Sequence, residues 1–530
     1  MFKTAVTLLV LIILSGCMDV IEPQISRLPD PSPIQPQARQ EPEPEPEPEI
    51  ITPRFGGALR LSMRSQQHFN PLLNEDVTVA RALQLLFEPL ITFDDELRFR
   101  PNLATLEFAF NGASVVVTIR EDALWSDGSP ITSDDLIFSV ETLRNAPPGA
   151  IYRHNIENFD ALEILDERTV RITFRTIMGG AAYLFNFPII PRHGNNMAPI
   201  GSGPFMFESY INSESVTFVR NPYTFRSRPY IEEVHILITS DDETDLHAFD
   251  RGLVDIFLAE VPAWHRHHSV KPVRFAEHLA MHYEFIGFNF AHELPGTLEF
   301  RQAIAHAINV DNLISNVFLA HAMPARTAIH PASWLYTPSA PVYVHNIEMA
   351  ETLAAYVISN IYWPTDEENE RLPLTVLVNE ENIERAHIAR VLVNQMNEIG
   401  LYAEVVSLPF DDFLQQLQNG NFDMFVGGYK LSLQPNISFA FHSESPDNLL
   451  SLNDPEMDRL LDTANVSGTD SMFLRTLEDI QQHMARELPV ISLAFRHSAV
   501  VADRRIMGDM RPTVDNIFAN VEYWFLFKED

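Results

Sequence analysis

One cysteine, Cys17, stands in the 530 residues. That count rules out an internal disulfide and any metal site built on several thiolates. No long apolar run is present either. The stretch Ala5–Leu14 is ten residues long, about half of what a bilayer-spanning helix needs, and nothing later approaches that length. Basic residues are scarce: 37 Lys and Arg stand against 72 Asp and Glu, a formal charge of −35. A field of that sign repels nucleic acid and anionic lipid and argues against both as partners. There is no Walker-type Gly-rich loop, so any ATP hydrolysis belongs to another chain. No internal repeat of fixed period is visible. What is there is an ordinary globular composition, 46% hydrophobic, in a chain long enough for two or three domains.

Lys3 and the apolar run Ala5–Leu14 read as the n- and h-regions of an export signal over residues 1–16. Leu14-Ser15-Gly16-Cys17 resembles the lipobox of bacterial lipoproteins, in which the Cys sulfur is acylated and the chain is cut before it. Cys17 is therefore expected to be a lipidation site, and the mature protein to be extracytoplasmic, touching the membrane only through its anchor. Residues 17–55 change character. Ten of the 37 prolines lie between Met18 and Phe55, no glycine does, and residues 41–49 alternate Glu and Pro. Proline removes amide donors and the glutamates repel one another, so this stretch reads as an extended tether.

From Gly56 onward, short strand-like and helix-like segments alternate. Ala58–Ser62 and Ser114–Arg120 are strands by β-branched content. Val77–Phe87 reads as an apolar helix. Thr132 is an N-cap with Asp135 in the capping-box position. Further on, Leu374–Val378, Ala403–Ser407 and Asp423–Val426 read as strands, and Ile383–Ile399 and Phe410–Gln418 as helices. The alternation implies α/β layers with mixed sheets.

Several blocks, in order, resemble the family 5 extracellular solute-binding proteins, the oligopeptide- and dipeptide-binding group of ABC importers. They are Gly56-Gly57-Ala58-Leu59-Arg60, Phe69-Asn70-Pro71-Leu72, Leu86-Phe87-Glu88-Pro89-Leu90 and the most specific one, Leu124-Trp125-Ser126-Asp127-Gly128 running to Asp135. Ile200-Gly201-Ser202-Gly203-Pro204-Phe205, Arg220-Asn221-Pro222-Tyr223, the helix from Phe300 to Ile308 and Asn453-Asp454-Pro455-Glu456-Met457-Asp458 complete the series. Trp125 reads as a buried anchor. The resemblance implies a two-lobed periplasmic-binding-protein fold of the class with an extra domain, whose lobes close on a ligand like a trap. Lobe 1 would comprise residues 56–280, with the extra domain at about 92–199, completed by about 497–530. Lobe 2 would comprise 281–496, with crossovers near 276–285 and 490–500. The implied function is capture of a small solute, a peptide or peptide-like molecule, for ABC permease and ATPase subunits. The protein would act as a monomer, without catalysis and without a cofactor. A same-fold sensor, adhesin or chaperone, and a binder of a sugar or nickel complex, are the alternatives.

By the same resemblance two segments face the cleft: Ser65, Gln67 and Phe69 after the first strand, and Gly427, Gly428, Tyr429, Lys430 and Leu431 after the Asp423–Val426 strand. Glycines there would let a ligand backbone approach closely. A bulky residue at Gly428 is then expected to block ligand without disturbing the core. The resemblance also brings a departure. Peptide binders of the family often carry an Asp in the second segment that accepts the ligand ammonium, and here Lys430 and Leu431 stand in that region. Sugars, anionic solutes and modified peptides stay open as ligands. His265, His267 and His268 cluster, and His278 and His282 are four apart, but Arg266 inside the first group argues against a cation, and no metal site is expected. Leu279 stands where a zincin needs its Glu, and Gly201-Ser202-Gly203 lacks the outer spacing of a nucleophile elbow.

Overall fold

The computed structural model describes residues 52–259 and 272–527. Cys17, the export signal, most of the tether and the His265–His268 cluster lie outside the described residues. Along the chain, β1 (Ala58–Arg64) leads to a short helix α1 (Val77–Leu83). A meander follows: β2 (Ala104–Phe108), β3 (Ser114–Ile119), α2 (Ser133–Arg144), β4 (Phe159–Ile164) and β5 (Thr169–Phe174). Next come β6 (Phe205–Ile211), β7 (Ser215–Arg220), β8 (Glu233–Thr239), α3 (Asp242–Asp250) and β9 (Ile256–Ala259). The long β10 (Val273–Phe288), the short β11 (Ala322–Pro324), β12 (Leu374–Asn379), α4 (Ile383–Glu398), β13 (Ala403–Leu408), α5 (Phe410–Gln418), β14 (Met424–Lys430) and β15 (Val490–Asp503) carry the chain through its second half.

These strands form three main sheets. The first, in the order β1-β8-β7-β6, pairs β1 parallel to β8, so the first strand is closed by one some 175 residues later. The second, β2-β3-β5-β4, is antiparallel throughout. The third runs β9-β15-β10-β14-β12-β13, with β11 on β15. Within it β13 and β14 flank β12 in parallel, joined through α4 and α5 as crossover helices. The long antiparallel partners β10 and β15 form its middle. The last six residues of β10, Tyr283–Phe288, are all buried, whereas most of its first half is partly open. The change coincides with two register shifts against β15, after Leu279 and after Glu284. One hydrophobic core joins the first two sheets. Another, from Ile286 to Ala494, lies under β12, β14 and α4.

Local sequence explains the main blocks. Asp135 is buried and its carboxylate accepts the Thr132 N–H at 3.0 Å, the Trp125 indole N–H at 3.2 Å and the Arg192 N–H at 2.9 Å. The capping box and the Trp anchor are thus one network, and Trp125 is fully buried. The helix expected over Val77–Phe87 stops at Leu83. The Leu85 and Leu86 carbonyls turn away to accept the Phe205 and Gly203 N–H groups at 3.0 and 2.8 Å. A Cβ at Gly203 would sit 2.6 Å from the Leu85 carbonyl oxygen, and one at Gly201 would strike the Leu86 carbonyl. The Gly-x-Gly block is there for this backbone-to-backbone approach.

Candidate functional site

A cleft of about 660 Å³ opens between the first sheet and the end of β14. Its walls are Leu61 and Ser62 of β1, Val77, Thr78 and Arg81 of α1, Asp242, Asp245 and Leu246 of α3, all of β9, Ile517 with Phe518, and Lys430. The size suits a drug-sized solute, and the apolar majority with a few charges is the usual make-up of a ligand pocket.

The acidic side of the cleft is internally matched. Arg64 Nη1 lies 2.8 Å from Asp245 Oδ2 and 2.9 Å from Thr239 Oγ1, while its Nη2 pairs with Asp242. Asp241 caps α3 by accepting the Thr244 N–H at 2.7 Å. Deeper in, Asp255 is buried and is held by Arg60 and Arg505, the latter at 2.8 Å.

The residues singled out from sequence separate into different roles. Ser65 and Gln67 are exposed in the loop after β1. Phe69 is fully buried, edge-on to Tyr210 at 5.2 Å and tilted against Phe207 at 5.6 Å, so its ring is part of the packing. The segment expected to follow a strand ending at Val426 is itself strand. β14 continues through Gly427, Gly428 and Tyr429 to Lys430, each paired with β10. Gly427 is covered. A Cβ at Gly428 would stand 2.6 Å from the Tyr283 carbonyl oxygen and 2.8 Å from Glu284 Oε2. This corrects the expectation that a bulky side chain at Gly428 would leave the core untouched. Tyr429 packs its ring 5.0 Å from Phe285 and 5.1 Å from Phe439, and burial pushes its phenol up to about 12. Leu431 is buried, and its N–H donates to the Met281 carbonyl at 2.9 Å. Of the eight residues, Lys430 is the one that lines the cleft.

Beside Gly428 lies a buried ionic group. Glu284 on β10 accepts Arg385 Nε at 2.7 Å and Arg496 Nη1 at 3.3 Å. His278 and His282 lie on β10, and among the described residues no group of three or more His, Cys, Asp or Glu is arranged to hold a metal. No helix among the described residues is long and apolar enough to cross a membrane.

A family model for the bacterial extracellular solute-binding proteins, family 5, matches residues 98–448, about two thirds of the chain. The chain belongs to this family. It is 23% identical over 510 residues to the oligopeptide-binding protein AppA of Bacillus subtilis, which covers 90% of this chain and 93% of that protein. Among solved structures, the ABC transporter substrate-binding protein CtaP of Listeria monocytogenes superposes with a TM-score of 0.77 at 22% identity, covering 90% of this chain and all of that one. AppA in complex with a nonapeptide gives 0.63 at 23% identity, over 90% of this chain and all of that one. The fold is thus the α/β two-lobed periplasmic-binding-protein fold of family 5. The cleft residues contributed by α1, α3 and β9 were not singled out from sequence. Arg64 and Asp245, which meet there, are 181 residues apart.

Proposed function

We propose that this family 5 member is the extracytoplasmic solute-binding lipoprotein of an ABC importer, anchored through Cys17, and that it carries a peptide or peptide-like solute to its permease as a monomer without catalysing any reaction. The observation that carries the reading is the 660 Å³ cleft, apolar over most of its wall, in a chain of this family. The oligopeptide-binding name of its full-length relative supports the peptide class. Lobe 1 is residues 56–280, with an extra domain at about 92–199, completed by about 497–530, and lobe 2 is 281–496. The two connecting strands, β10 and β15, are where closure bends. Lys430 stands at the cleft wall, and Ser65 and Gln67 lie in the exposed loop after β1. Closing on the ligand gives the permease a form to distinguish from the open one.

Mass spectrometry of small molecules released from the purified protein, followed by calorimetry with the hits and small-angle scattering, tests this. The expected result is a peptide-like solute that binds and compacts the protein. A tight ligand that produces no compaction would overturn the trap. A released solute with no peptide character would overturn the peptide class.

A further inference from the structure

Lysine is almost absent from this chain. Lys3, Lys271, Lys430 and Lys528 are the four in 530 residues, and Lys430 is the one among the described residues. It stands at the end of β14 on the wall of the cleft. Among the described residues its ammonium makes no hydrogen bond and no ion pair. The two carboxylates that line the same cleft, Asp242 and Asp245, are both held by Arg64. They are therefore not pointed at Lys430 as counter-charges. The rest of the wall is largely apolar: Leu61, Val77, Leu246 and Phe257 are representative.

We infer that Lys430 is the anchor for a carboxylate on an otherwise apolar solute, such as the terminal carboxylate of a short apolar peptide. The inference rests on the reading of this cleft as the solute site. An ammonium facing water costs nothing to leave unpaired. Once a ligand fills the cleft and water leaves, the same charge needs an anion within reach. A neutral ligand would bury the ammonium uncompensated, and a cationic one would add repulsion. A carboxylate gains a charge-assisted hydrogen bond where water no longer competes. The net charge of −35 disfavours anions on average, which makes an anion-accepting cleft a point of discrimination.

The test uses the full chain and three pools of tetrapeptides made from Ala, Val, Leu and Phe. One pool has free C-terminal acids, one has C-terminal amides, and one has amides with a single Glu added. Binding is measured by calorimetry to the wild type, Lys430→Gln and Lys430→Arg. Lys430 is exposed at a strand end, so the variants fold, and melting curves check it. The wild type is expected to bind the acid pool at least about tenfold more tightly than the amide pool, the worth of one hydrogen bond to a charged group. Lys430→Gln should erase the difference and Lys430→Arg should keep most of it. If the Glu-containing amides bind like the acids, the carboxylate is recognised whether it comes from the terminus or from a side chain, and the inference stands. If they bind like plain amides, it stands for the terminus alone. Equal binding of the acid and amide pools by the wild type overturns the inference and leaves the peptide reading intact. Failure of all three pools to bind overturns both.

Discussion

Gly428 lies directly opposite Glu284 on adjacent antiparallel strands, and the space a side chain at 428 would need is occupied by the Glu284 carboxylate and its Arg385 partner. The glycine is what lets an ion pair sit against the sheet at this point. Gly428→Ala should therefore cost about 1–3 kcal/mol through overpacking. In urea denaturation the midpoint should fall with the slope unchanged. A midpoint equal to that of the wild type would mean that the pair relaxes freely and that the glycine has another purpose.

Glu284 is the buried carboxylate between Arg385 and Arg496. Glu284→Gln keeps the volume and removes the negative charge that Arg385 and Arg496 share. The expected loss is about 3–5 kcal/mol, the usual cost of breaking a buried pair from one side. Adding Arg385→Met to Glu284→Gln should recover part of that loss, because one of the two guanidinium groups that Glu284 served is then gone. Additive losses in that double-mutant comparison would sink the account.

His330 offers a pH signature. It is buried edge-on against Phe495 at 5.0 Å, and burial pushes its imidazole down to about 4. The unfolded chain takes up that proton near pH 6.5, while the folded chain resists it until about pH 4. The contribution of the neutral ring to stability is complete above about 6.5 and is lost as pH falls to about 4, roughly 3 kcal/mol in all. His330→Phe keeps an aromatic ring and removes the titration. The stability difference between wild type and variant should shrink by that amount over this window. A difference independent of pH would show that the ring protonates in place.

The anchor is tested in the native host. Cys17→Ala should move the protein from the membrane to the soluble fraction and remove the acyl mass from its N-terminal peptide. Retention of either would rule out Cys17 as the lipid site.

Much of the α/β alternation was legible because it is written locally. α5 runs over Phe410–Gln418 as its spacing predicts, and β12, β13 and α4 differ from their expected bounds by a residue. Thr132 and Asp135 announced α2 in the same way. The errors arose where a distant partner decides. Glycines at 427 and 428 suggest a loop when read alone, yet β10 supplies the ladder and the Tyr283 and Phe285 rings that make them strand. The helix from Val77 ends early because Gly203 needs the carbonyl of Leu86, 117 positions before it. Lys430 was found through its place in a segment. Its neighbours in the cleft come from α1, α3 and β9, which carry no shared local pattern.

The long pairing of β10 with β15 also governs when this protein can fold. Tyr283 and Ser492, hydroxyl to hydroxyl at 2.6 Å, are 209 residues apart. On its other edge β10 meets β14, which begins at Met424. A nascent chain therefore holds the longest strand among the described residues without a neighbour on either edge until four fifths of the sequence has been made. High sequence separation slows closure, and an unpaired apolar strand invites association in the meantime. On the export route that the proposed function implies, that delay is an advantage: the central sheet stays open until almost the whole polypeptide has been made, and folding is postponed to the far side of the membrane.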